Sequence, residues 1–139
     1  MSLRVAINGF GRIGRLVYRA ILESKITDLE VVCINDLGPT SSNAHLLKYD
    51  STHGTLPQEI IVGENTIDAG QGPVTITSER DPSNLPWQKL NVDIAFECTG
   101  FFTSKEKATA HIKAGAKRVI VSAPASGADI TVVYGVNDH

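Results

Sequence analysis

The chain opens on a dense apolar run, Leu3 to Asn8 (LRVAIN), of the kind expected for a strand covered on both faces of a parallel sheet. The period then changes. Ile13, Leu16, Val17, Ala20 and Ile21 recur at three- and four-residue spacing, predicting a helix over 13–24 with one stripe on the sheet. Arg12, Arg15 and Arg19 fall on another side of that helix, where the pattern predicts a solvated or subunit-facing surface. A second β run, Leu29 to Ile34, ends in Asn35-Asp36. After the turn-rich Gly38-Pro39-Thr40-Ser41-Ser42 comes a short amphipathic helix over 43–49. Short β pieces at 59–62, 66–67 and 74–76 are parted by Gly63-Glu64-Asn65 and Gly70-Gln71-Gly72-Pro73, which predicts an inserted antiparallel ribbon. Asp81-Pro82 and Leu85-Pro86 bound a single turn ending at Trp87, and Val92 to Cys98 forms a further buried strand stopped by Thr99-Gly100. Thr103 and Glu106 make a capping box for a helix that Gly115 ends. Strands at 117–122 and 130–136 follow. Strands alternating with helical stretches predict an α/β, doubly wound, mainly parallel sheet with an inserted β ribbon.

Gly9, Gly11 and Gly14 stand between the first strand and the first helix, and that position turns a weak pattern into a mechanism. Gly9 serves the tight turn, Gly11 lets the backbone approach a pyrophosphate, and Gly14 lets the helix pack close to the sheet. The amides at such a helix start, with the positive end of its dipole, favour an anion. Asp36 follows Gly14 by 22 residues, where a dinucleotide fold places the acid for the adenosine ribose hydroxyls. The sheet is therefore of the Rossmann type, with NAD as the expected cofactor.

Length and charge narrow the rest. A chain of 139 residues suits one domain, and a net charge of −2 gives no electrostatic case for nucleic acid or an anionic membrane. No apolar stretch is long enough to span a bilayer. Cys33 and Cys98 lie in apolar strands without CxxC or Cys/His spacing, so neither a zinc site nor a disulfide framework is expected and a reducing cytoplasm fits.

Ligands of open parallel sheets bind beyond the carboxyl ends of the strands. Those ends name the candidate cofactor contacts: Asn8, Gly9, Phe10, Gly11, Arg12, Ile13, Asn35, Asp36, Arg80, Thr99, Gly100, Phe101, Ser122 and Ala123. No catalytic residue is assigned. Cys98 ends a strand near the crevice, but no His is placed in sequence to activate it, and a buried strand cysteine behaves as a small inert hydrophobe. His53 fits a loop hydrogen-bonding role better than that of a base.

The phrases NGFGRIGR, AHLLKYDSTHG, SERDPSNLPW, ECTGFFT, AGAKRVIVSAPA and VVYGVN, taken in order, resemble the cofactor domain of phosphorylating glyceraldehyde-3-phosphate dehydrogenase. The resemblance implies that Arg12 and Ile13 offer amides to the pyrophosphate, Asp36 takes the adenosine ribose, and Arg80 lies on the adenine side. It also places Thr99, Gly100 and Ser122 towards the nicotinamide. It implies an oxidoreductase of glycolysis, a homotetramer when full length, acting on glyceraldehyde 3-phosphate and phosphate. The family's thiolate, general base and phosphate-binding residues belong to sequence beyond the last strand. Residues 1–139 are accordingly expected to be the NAD-binding domain, the catalytic domain being absent from this chain. Two alternatives stand beside this. Erythrose-4-phosphate dehydrogenase is a close relative, but it favours Glu where this chain has Asp36. A stand-alone NAD-binding module without chemistry is the other.

Overall fold

In chain order the elements are β1 (Leu3–Asn8), α1 (Arg12–Glu23), β2 (Leu29–Asn35), α2 (Thr40–Lys48), β3 (Tyr49–Asp50), β4 (Gly54–Thr55), β5 (Ile61–Val62), β6 (Thr66–Asp68), β7 (Pro73–Thr77), β8 (Ile94–Glu97) and β9 (Arg118–Val121). The computed structural model describes residues 3–23, 28–38, 40–50, 54–55, 60–69, 73–81, 84–98 and 110–121. Among these, seven strands form one sheet in the order β5-β6-β7-β2-β1-β8-β9. The pairs from β7 through β9 are parallel, whereas β5, β6 and β7 pair antiparallel. Chain progression leaves β1 first towards β2 and later towards β8, so the switch point of the sheet lies at the carboxyl end of β1.

Apolar clusters pack on both faces of the central strands β1 and β2, as their apolar density requires, while Ile61 and Val62 of β5 and Ile120 of β9 are exposed. On one face Ile7 and Ile34 pack with Tyr18, Ile21 and Leu22 of α1 and Leu47 of α2. On the other, Ala6, Cys33 and Ala95 meet Leu85, Trp87, Val92 and Ala116. A bulge sets this partition. Val5 pairs with Val31 but Ala6 with Cys33, so Val32 is an extra residue in β2. Both Val32 and Cys33 then join the second core, and Asn35 is brought opposite Asn8.

Three expectations need correction. The second helix begins at Thr40, not Asn43, and Tyr49 belongs to β3. Thr40-Ser41-Ser42 supply its first turn, where hydroxyl side chains are well tolerated. The stretch at 74–76 is no part of a separate ribbon: β7 pairs parallel with β2, so only β5 and β6 are appended, as the antiparallel edge of the same sheet. Arg19 is not solvated. It is buried, and its guanidinium donates to the carbonyls of Leu47, Lys48 and Gly54. The last carbonyls of α2 lack partners within the helix and carry its negative end, which a buried guanidinium satisfies on both counts. The capping box at Thr103 and Glu106, the strand over 130–136 and His53 lie outside the described residues.

Candidate cofactor site

At the end of β1 the chain turns on Gly9, whose φ of 94° lies in the left-handed region that suits glycine. The Gly9 amide donates to Asn35 O at 2.7 Å, and α1 starts when Arg15 N bonds Gly11 O at 3.0 Å. A Cβ on Gly14 would collide with the Gly9 carbonyl and crowd Ile7, so close packing of α1 on the sheet requires glycine there. Gly11 differs. A Cβ on it meets nothing within 4 Å, and Gly11, Arg12 and Ile13 are all exposed. Among the described residues, then, the space over Gly11 is open to a ligand. First-turn amides of a helix have no acceptor within it, and anions are held at such places.

Asp36 bolts this loop to the end of β2. Its Oδ1 accepts from Phe10 N at 2.9 Å, while Oδ2 accepts from Gly38 N at 2.9 Å and from Asn43 Nδ2 at 3.1 Å. An ionised carboxylate has about four acceptor sites, so three bonds leave room for a hydroxyl donor. Asp36 is also partly exposed. Beneath the loop lies an amide ladder. Asn35 Nδ2 donates to Asn8 Oδ1 at 2.7 Å and to Glu79 O at 2.8 Å, while Asn35 Oδ1 accepts from Thr77 Oγ1 and Glu79 N. Every hydrogen-bonding position of the Asn35 amide is used.

Hydrogen bonds thus bring Asn8, Gly9, Phe10, Asn35 and Asp36 together at the carboxyl ends of β1 and β2, with Asn8, Phe10 and Asn35 buried and Gly11, Arg12 and Ile13 exposed at the start of α1. Arg80 is exposed, next in sequence to Glu79. Thr99, Gly100, Phe101, Ser122 and Ala123 lie outside the described residues. Cys33 is buried, 3.9 Å from Thr77 Oγ1, and burial pushes its thiol up to about 11. Cys98 is half-buried, its amide bonded to Asn8 O at 2.8 Å. Sequence reasoning passed over Glu97 and His111, both fully buried and joined at 2.6 Å. The available signal was a charged residue closing an otherwise apolar strand. A groove of about 440 Å³ between α2 and β5, lined by His45, Lys48 and Val62 among others, contains none of the named residues. Among the described residues no cluster of His, Cys, Asp and Glu fits a metal ion, and no helix is long and apolar enough to cross a membrane.

The family model of the glyceraldehyde 3-phosphate dehydrogenase NAD binding domain matches residues 3–105. The chain belongs to this family. NAD is the cofactor of the domain, and among the described residues the open space at Gly11 and the remaining acceptor capacity of Asp36 fit a dinucleotide. Proteins named glyceraldehyde-3-phosphate dehydrogenase are similar throughout. The one from Xanthobacter flavus is 65% identical over 137 residues, covering 99% of this chain and 41% of that protein. The one from Cereibacter sphaeroides is 61% identical over 99% of this chain and 40% of its own length. That of Thermotoga maritima is 56% identical over 97% and 40%. The chain therefore spans about 40% of the length of the curated relatives it matches.

Proposed function

We propose that this chain is the NAD-binding half of a phosphorylating glyceraldehyde-3-phosphate dehydrogenase, which converts glyceraldehyde 3-phosphate and phosphate to 1,3-bisphosphoglycerate in glycolysis. The observation that carries the reading is the Asp36 carboxylate joined to the glycine-loop amide of Phe10, in a family that binds NAD. Identity of 65% to a protein of that name supports the reaction. Bound there, NAD supplies the hydride acceptor.

On this reading the chain's own residues divide the binding of the dinucleotide between them. Gly11, Arg12 and Ile13 present backbone amides at the start of α1 to the pyrophosphate, in the field of the helix dipole. Asp36 accepts from the adenosine ribose and keeps the loop closed on β2. Asn8 and Asn35 hold the two strand ends in register, and Gly9 and Phe10 shape the turn between them. By the family resemblance, Arg80 is assigned to the adenine side and Thr99, Gly100 and Ser122 to the nicotinamide side, with Phe101 and Ala123 as further candidate contacts. The nucleophile and base belong to the catalytic domain, outside residues 1–139, and the complete protein is a cytoplasmic homotetramer. Calorimetric titration with NAD, and NADH formation by the complete protein from glyceraldehyde 3-phosphate, NAD and phosphate, test this. Saturable binding and phosphate-dependent turnover are expected; turnover that ignores phosphate overturns the assigned reaction.

A further inference from the structure

On the β8 side, a line of side-chain hydrogen bonds runs from the end of β1 into the interior. Asn8 Nδ2 donates to Glu97 Oε2 at 2.8 Å, and His111 Nε2 lies 2.6 Å from the same oxygen. Trp87 Nε1 donates to His111 Nδ1 at 2.9 Å, with the two rings stacked. An indole N–H only donates, so His111 Nδ1 accepts, and the imidazole is neutral with its proton on Nε2, aimed at Glu97. Glu97 is 1% exposed, and His111 and Trp87 are wholly buried. A carboxylate in that place is costly unless donors converge on it. Among the described residues Asn8 donates to it from the end of β1 and His111 from the core.

We propose that Glu97 is a positioning residue for the dinucleotide: oriented by His111 and Trp87, it sets the Asn8 amide and so the strand end from which the glycine loop departs. This rests on the NAD-binding reading above. The side-chain amide of Asn8 has two orientations that fill the same space. In the observed one Oδ1 accepts from Asn35 and Nδ2 donates to Glu97. Flipped, it would set N–H against the N–H of Asn35 and oxygen against the carboxylate of Glu97, both repulsive. Asn35 and Glu97 therefore select one orientation, and the charge on Glu97 enlarges the penalty for the other. The residue that follows Asn8 is Gly9, so any loosening passes straight into the turn that holds Gly11.

Calorimetry with NAD on the complete protein, native and with Glu97→Met or Glu97→Gln, tests this. A native protein that fails to bind NAD removes the cofactor reading itself, a separate result. Loss of the bonds from Asn8 and His111 in Glu97→Met is expected to weaken NAD about tenfold, while Glu97→Gln, whose carbonyl still accepts from Asn8 and His111, stays within about threefold. A folded Glu97→Met with native affinity overturns the proposal. Should that variant not fold, the native protein still decides. The indole N–H resonance of Trp87, the chain's single tryptophan, assigned by its loss in Trp87→Phe, is expected to move as NAD saturates the site. A resonance that stays fixed while NAD binds also overturns it.

Discussion

Two carboxylates flank the turn at Gly9, and they are held in opposite ways. Asp36, on the β2 side, is partly exposed and bonds backbone amides of the loop and of Gly38. Glu97, on the β8 side, is buried and bonds side chains, Asn8 and His111. The first accepts three bonds among the described residues and stays partly exposed, which leaves it capacity to accept from a ligand. The second faces only protein in the contacts described and sets the geometry of its neighbours. The same chemical group is thus suited to ligand selection at one strand end and to positioning at the other, and burial is the chief difference between them.

The sharpest test of that division is cofactor choice. Two unit charges about 4 Å apart at an effective dielectric near 20 repel by about 4 kcal/mol, less where water and salt screen them. A 2′-phosphate brought against Asp36 meets repulsion of that order, so the protein is expected to favour NAD over NADP by roughly a hundredfold or more. Asp36→Ala should collapse that ratio, whereas Glu97→Gln should leave it intact. Dissociation constants for both cofactors with the three proteins check this; a ratio that survives Asp36→Ala removes Asp36 from the ribose role.

Stability should show the reverse order. His111→Leu takes a donor from a buried carboxylate and leaves the Trp87 indole N–H without its acceptor, for an expected loss of about 3 kcal/mol. Asp36→Ala removes bonds to amides near the surface, where water can replace the carboxylate, for about 1 kcal/mol. Denaturant unfolding of the two variants gives the comparison, and equal losses would mean that burial does not distinguish the two carboxylates.

How much of this could be read from residues alone follows the same line. The order of strand, glycines, helix and second strand is local, written in apolar periodicity and glycine spacing, and it locates Gly9, Gly11 and Asp36 without further help. The mainly parallel sheet follows from the alternation of elements. What escaped depends on partners distant in sequence. The Val32 bulge, which brings Asn35 opposite Asn8, is one valine in a row of apolar residues. Arg19 sits off the apolar stripe of α1, and only the packing of α1 against α2 reveals the carbonyls that receive it. Glu97 and His111 lie on separate elements, and Trp87 joins them from a turn. Thr40 to Ser42 resemble loop in composition, because hydroxyl residues serve turns and helix starts equally.

A cysteine lies close in sequence to each carboxylate, Cys33 in β2 ahead of Asp36 and Cys98 just after β8, and reactivity extends the comparison. Burial pushes the Cys33 thiol on β2 up to about 11. At pH 8 its thiolate population is then roughly a hundredfold below that of an ordinary thiol. Native protein treated with iodoacetamide should keep Cys33 unmodified by peptide mass spectrometry, with alkylation appearing only on unfolding. Half-buried Cys98, which follows Glu97, should be alkylated first. Faster modification of Cys33 would place it outside the core assigned to it.

The smallest expected effect concerns a third carboxylate, at the opposite end of the same strands. Asp93, just ahead of β8, accepts from Arg4 N at 2.9 Å and pairs with Lys117 Nζ at 3.0 Å. The Arg4 amide first, and Lys117 second, hold its carboxyl below the usual range. A carboxyl lowered in the folded state contributes stability that is fully present above its unfolded value near 3.9 and is lost as pH falls through the folded value. Asp93→Asn should therefore lower the melting temperature slightly at pH 6, and the gap to the native protein should close as pH falls below about 4. Lys117 is largely exposed and its pair is screened by water, so most of the gap should survive Lys117→Ala and moderate salt. Melting curves between pH 6 and 3 read this directly. A gap that widens with acid would reverse the sign, and would mean that Asp93 is held by its neighbours in the protonated form.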